Sequence, residues 1–216
     1  MTEMNRRKLL GTGVGVGAAA LAGGVGGAGT AAAAAGGDPA GRSPSPHLFH
    51  LNASKPGVYN GGSLRGANEE NFPILKGQNG SVYYVTLEVG GVREPHWHPS
   101  AWELNYIISG SAKWTVLGTH PDGSYHNDAF EAGPGDLVFA PEGFFHYFEN
   151  SSPTEKLVVL IMFNSSTPEP NDDLGIVASF NSVPREVLAA SFGVPVSAFA
   201  AIPKEVKPVV ITKKTA

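Results

Sequence analysis

From Gly62 onward the chain advances in short β-rich runs, each cut off by a turn cluster before a helix could form. The runs are Ser81–Val89, Trp102–Ile108, Ala112–Leu117, Leu137–Ala140, Phe144–Phe148 and Leu157–Phe163, and the breaks include Gly90-Gly91, Ser109-Gly110, Pro121-Asp122-Gly123 and Gly133-Pro134-Gly135. β-Branched and aromatic residues fit a pleated surface, and Gly and Pro supply the backbone angles that turns need. Many strands on close turns, with no helix among them, predict an all-β sandwich or barrel. No internal repeat is present, so one barrel is expected. Helix is predicted only late, over Arg185–Phe192, between Pro184 and Gly193 and with Glu186 in its first turn. A second short helix is predicted to start at Pro195 and to end by Pro203.

The composition excludes several classes. Only 16% of residues are charged, and 28 Gly and 17 Pro rule out a coiled coil or helical bundle. The formal net charge is −4 with no long basic run, so no nucleic-acid partner is expected. The chain has 0 Cys, which removes thiolate ligands, Cys nucleophiles and disulfides together. Any metal must then sit on His and carboxylates.

The N-terminus has a different character. Arg6, Arg7 and Lys8 precede an uncharged Gly/Ala/Val run from Leu9 to Gly37, and Ala31–Ala35 offers several A-x-A cleavage frames. Asn5-Arg6-Arg7-Lys8-Leu9-Leu10 resembles a twin-arginine export signal, so residues 1–35 are expected as a signal peptide and the mature protein as secreted or cell-envelope. An uncleaved anchor is the alternative, but Gly and Ala partition weakly into hydrocarbon, and no stable membrane span is expected after cleavage. Because this route carries folded proteins, a metal site could be filled before export. Residues 36–60 read as a flexible linker or arm, 61–166 as the barrel, 167–181 as a lid or connecting loop, 182–206 as a helical tail and 207–216 as an extension.

Two segments carry chemistry. In Gly90-x5-His96-x-His98-x4-Glu103-x6-Gly110, residues two apart on a strand share a face, so His96 and His98 can meet while Trp97 faces away. Pro99 and the residues after it must turn the chain so that Glu103 returns on the next strand. The second segment, Gly135-x5-Pro141-x-Gly143-x2-His146-x3-Asn150, adds a third imidazole. Three imidazoles and one carboxylate leave two positions of an octahedron open for a substrate or dioxygen. Phe144, Phe145, Tyr147 and Phe148 read as core or as a dry wall about His146, Trp97 and Trp102 as packing, and His47, His50, His120 and His126 as surface residues.

Both segments resemble, position for position, the two motifs of the cupin superfamily. That resemblance implies a cupin double-stranded β-helix (jelly-roll barrel) with short C-terminal helices and His96, His98, Glu103 and His146 as metal ligands. Gly61-Gly62-Ser63-Leu64-Arg65, Val92–His98, Trp102-Glu103, Ser109–Ala112 and Val183–Val194 are similar to one unit of oxalate decarboxylases. The family usually has two such units with two manganese sites, whereas this chain shows one. The resemblance implies one Mn(II) per chain, with Fe(II) as the alternative, dioxygen as a possible co-substrate and oxalate or a similar small dicarboxylate as substrate. It places the substrate-binding cation at Arg93. The family's proton-donating lid acid matches Pro170, which leaves Glu169 and Asp172 as the catalytic lid candidates, with Asp173 following. A homo-oligomer is expected. Two rivals stand beside the decarboxylase: an oxalate oxidase or other oxygen-dependent cupin enzyme, and a non-catalytic germin-like metal-binding surface protein.

Overall fold

A computed structural model of the protein describes residues 43–119, 122–202, 204 and 210–215. The twin-arginine leader, the start of the arm and His120 lie outside the described residues.

The strands are β1 (Gly57–Tyr59), β2 (Gly62–Ala67), β3 (Ser81–Leu87), β4 (Gly91–Trp97), β5 (Glu103–Ser109), β6 (Ala112–Thr119), β7 (Tyr125–Ala132), β8 (Leu137–Ala140), β9 (Phe145–Asn150), β10 (Leu157–Phe163), β11 (Leu174–Gly175) and β12 (Ile211–Lys213). Two sheets of antiparallel pairs form, in the orders β1-β2-β3-β10-β5-β8 and β11-β4-β9-β6-β7, and β12 also pairs with β4. This is the cupin jelly roll that the motifs imply.

The period-two pattern decides which side chains go inward. On β3, Ser81, Tyr83, Val85 and Leu87 are buried and the residues between them half-buried; β10 does the same with Leu157, Val159, Ile161 and Phe163. From the other sheet come Trp114 and Val116 of β6 and His146, Phe148 and Asn150 of β9. Trp114 stacks on Phe148 with ring centroids 4.4 Å apart. The functional histidines therefore project into the same interior as the hydrophobic core.

Several segments differ from expectation, for a shared reason. β7 is exposed along seven of its eight residues, yet it pairs with β6 from Ala112↔Ala132 to Thr119↔Tyr125. An edge strand held by backbone hydrogen bonds needs no alternation of apolar residues. The same correction applies within the supposed arm, where Gly57–Tyr59 pairs with β2 although Val58 is exposed, and within the supposed extension, where Ile211–Lys213 pairs with Arg93–Gly91 of β4 and Ile211 is fully buried. The connecting loop 167–181 likewise holds β11 and a short helix α1 (Ile176–Asn181). The tail helix α2 (Arg185–Phe192) has the expected bounds and ends on Gly193 in the left-handed region, φ 67°. Pro184 is its N-cap, and the second tail helix is a 3-10 turn at Val196–Phe199. A satellite core of Leu188, Ala189 and Phe199 joins α2 to that turn. β11 and β12 both bond β4, so the chain leaves this strand at Gly175 and returns to it at Ile211. Among the described residues, no helix is long and apolar enough to cross a membrane.

Candidate metal centre

The pairing of β4 with β9 puts His96 directly opposite His146. His98 follows just after β4 ends, and its carbonyl accepts the Gly143 N–H at 2.9 Å, tying the turn after β4 to the turn before β9. Glu103 is the first residue of β5 and points inward. The four side chains are at most 2% exposed, and their ligand atoms lie within 4.8 Å of one another.

The hydrogen bonds around the rings decide what they offer. His96 Nδ1 donates to the Glu94 carbonyl at 2.7 Å, His146 Nδ1 to Phe144 at 2.8 Å and His98 Nδ1 to Asp172 at 3.1 Å, because a carbonyl oxygen can only accept. In a neutral ring this leaves Nε2 with a lone pair. All three Nε2 atoms face Glu103 Oε2, at 3.9 Å from His96, 3.2 Å from His98 and 3.1 Å from His146. Burial first, and then the nearby Arg93 charge, lower the His96 pKa to about 3, so this ring is neutral near pH 7. Burial alone would raise the Glu103 carboxyl, but His146 and the hydrogen bonds shared with the three rings hold it well below the usual range, and its Oε1 is buried with no hydrogen-bond partner among the described residues. Converging lone pairs around an ionised carboxylate call for a cation, and imidazole with carboxylate suits a divalent first-row metal. The residues fit the ion that the motifs imply.

The dry wall is built differently from expectation. Phe163 stands edge-on to His98 at 4.8 Å, and Trp114 stacks on His146 at 6.5 Å. Phe148 is core, whereas Phe145 packs on Trp97 at 6.2 Å, away from the interior, and Trp102 packs on Phe139.

Arg93 is buried at 1% exposure beside this cluster. Three residues before His96, it would face the other way on a regular strand; a register shift between Arg93 and His96 in the pairing with β9 turns both inward. Its Nη2 donates to Glu169 Oε1 at 2.9 Å and also bonds Asp173 Oδ2. Burial, reinforced by Asp173, pushes the Glu169 carboxyl up, while Arg93 opposes the rise. Arg93 holds Asp173 below the usual range against the effect of burial. The Glu169 N–H donates to the Tyr83 hydroxyl at 2.6 Å, and Tyr83 is pushed up to about 12 by burial and by Glu169.

Of the two lid candidates, the structure brings Glu169 to Arg93 and turns Asp172 elsewhere. The Asp172 carboxylate accepts the Ser100 N–H at 3.1 Å and the Ser100 hydroxyl at 2.8 Å, both at the surface, while its carbonyl orients His98. The second acid on Arg93 is Asp173. Asp172 caps the end of the 3-10 turn with φ −125° and ψ 17°, and the chain then runs through Asp173 into β11, so the two consecutive acids divide between surface and interior. The cavity between His98 and the lid, lined by Ser81, Phe163, Thr167 and Glu169, is only about 10 Å³, whereas cavities of about 200 and 460 Å³ lie on the outer surface, beside Phe49 and Tyr84.

A family profile described as Cupin matches residues 49–198. The chain belongs to the cupin family. Among curated cupins it is 33% identical to a probable oxalate decarboxylase of Arthroderma benhamiae, over 79% of this chain and 40% of the relative. It is 30% identical to germin-like protein subfamily T member 3 of Arabidopsis thaliana, over 66% of this chain and 60% of the relative. A solved oxalate decarboxylase from Bacillus subtilis, studied for its Mn(II) centres, superposes with a TM-score of 0.67 at 30% identity, over 82% of this cupin and 44% of that chain. The present cupin thus spans less than half the length of the oxalate decarboxylases it matches.

Proposed function

We propose that this cupin is a Mn(II)-dependent oxalate decarboxylase that converts oxalate to formate and carbon dioxide. One observation carries the reading: a buried arginine and a buried lid carboxylate with a raised pKa adjoin a three-histidine, one-glutamate cluster. The likeness to oxalate decarboxylases supports the substrate.

The net reaction splits the carbon–carbon bond of oxalate and takes up one proton, giving formate and carbon dioxide with no net oxidation. The site must therefore hold a carboxylate and deliver a proton. His96, His98, Glu103 and His146 would hold the metal, which supplies Lewis-acid and one-electron chemistry when bound. Arg93 binds and orients a substrate carboxylate through its planar fork. Burial raises the Glu169 carboxyl above its ordinary range, which favours the protonated form, and it is the acid in this reading. Phe163 and Trp114 exclude water from the histidines. Asp172 positions His98 and is not the acid.

Pro170 at the place of the family's lid acid, together with the germin-like relative, supports a second reading as an oxalate oxidase. Purified Mn-loaded protein given oxalate distinguishes them: formate supports the decarboxylase, hydrogen peroxide the oxidase, and neither product with metal bound leaves a metal-binding surface protein. We also propose export by the twin-arginine route, tested by replacing Arg6 and Arg7 with Lys and following cell fractions. Self-association is proposed as well. The outer-face row Leu137–Tyr106–Leu160–Tyr84 runs across paired strands, and Leu137 is 63% and Tyr106 40% exposed.

A further inference from the structure

The Arg93 guanidinium is half used. Both Glu169 and Asp173 bond its Nη2, while Nη1 of the same buried group has no hydrogen-bond partner among the described residues. Glu169 Oε2 and Asp173 Oδ1 are buried and unpartnered too. A guanidinium bonds a single planar carboxylate through two parallel N–H groups, and a buried donor without a partner is costly. Two carboxylates crowded onto one nitrogen are therefore an imperfect occupant, and a ligand carboxylate spanning Nη1 and Nη2 would satisfy the fork.

We propose that Glu169 and Asp173 occupy the seat of a substrate carboxylate on Arg93, so that the lid closes the resting site by mimicking the substrate and a carboxylate ligand enters by displacing it. The inference rests on the reading of Arg93 as the carboxylate-binding cation. Three observations support it.

The cavity between His98 and the lid is about 10 Å³, room for one water and too small for a carboxylate while the lid is in place. The two lid acids present two carboxyl groups, as one dicarboxylate does, so exchanging one for the other keeps the number of carboxyl groups around Arg93 unchanged. Adding a ligand without that exchange would crowd further anions around a single buried cation. Finally, the lid is a short 3-10 turn, Glu169–Asn171, and its other side-chain fastenings include the surface bonds between Asp172 and Ser100, the His98 ring bond to the Asp172 carbonyl and the bond from the Glu169 N–H to Tyr83, all between uncharged partners or at the surface. Breaking the Arg93 pairs removes its buried ionic tie. Asp173 thereby becomes a positioning residue: it fixes the guanidinium in the resting protein and sets how readily a ligand takes it over.

The test uses the full Mn-loaded chain, with thermal unfolding and metal content confirming that each variant is folded and loaded. Hydrogen–deuterium exchange over residues 168–175 should quicken at least tenfold in Arg93→Gln without ligand, and in the wild type on adding saturating oxalate or formate. Calorimetric titration should show that Asp173→Asn, alone and with Glu169→Gln, tightens oxalate and formate binding at least tenfold. Asp173→Asn should also lower KM without raising kcat. Unchanged lid exchange in Arg93→Gln, or unchanged or weaker carboxylate binding in both neutralised variants, would overturn the proposal. If formate frees the lid while oxalate yields neither formate nor hydrogen peroxide, the seat exchange stands and the functional reading falls.

Discussion

His96 and His146 face each other across the β4–β9 pairing with ring centroids 4.3 Å apart, and each spends its Nδ1 proton on the backbone carbonyl two residues earlier in the chain. The fold thus fixes the tautomers and presents two lone pairs to one point. Metal binding and folding are coupled there, which makes stability sensitive to the ion.

Chelation should lower Tm, and Mn(II) should restore it in proportion to the logarithm of free metal. A site saturated at a hundred times its Kd contributes about 2.7 kcal/mol. His146→Ala should abolish the metal-dependent rise. A Tm indifferent to metal would refute the coupling.

Glu94 supplies a pH signature. Burial raises its carboxyl from 4.5 to about 7, with Arg93 opposing, so the folded state binds a proton that the unfolded state releases. Stability from this group is present below about pH 4.5 and is lost as pH rises through 7. Subtracting wild-type from Glu94→Gln stability across that range should give a difference that grows with pH. A flat difference would show that Glu94 does not titrate this way.

The metal-free protein should show the opposite trend from His96. Its pKa falls from 6.5 unfolded to about 3 folded, so stability is present above 6.5 and is lost as pH falls toward 3. Urea unfolding of the chelated protein at pH 7 and pH 4 checks the sign, and His96→Gln should weaken the slope.

Gly175 tests the packing under the lid. A Cβ there would lie 2.5 Å from Glu94 Oε1, so Gly175→Ala must shift either β11 or the Glu94 side chain. The expected result is a lower Tm and faster exchange in residues 174–181, with metal content retained. A substitution without effect on either would show that the contact is readily relieved.

Phe148 is fully buried against Trp114, and Phe148→Ala should cost about 3–5 kcal/mol in chemical unfolding.

Much of this centre was legible in the chain because its ligands sit on regular strands and their spacing encodes a shared face. His96, His98, Glu103 and His146 needed only period-two geometry and a turn, and the strands from Leu137 and Leu157 declared themselves by apolar content. Not every edge strand did. β7, β1 and β12 are held by backbone hydrogen bonds that leave no trace in side-chain pattern. The lid was half legible: its acids were visible, but which of Asp172 and Asp173 turns inward depends on where the short turn ends and β11 begins. Arg93 depended on a register shift that spacing alone would have placed on the wrong face.

The double anchorage of β4 has a consequence for how this cupin can vary. Since the chain leaves that strand beside His96 and rejoins it beside Arg93, everything from α1 to β12 is, in topological terms, a single side loop. Its length and sequence can drift, or be cut and rejoined, while both edges of the metal-bearing strand stay fastened. The helical appendage is where descendants of this chain can acquire new surfaces without disturbing the chemistry beneath.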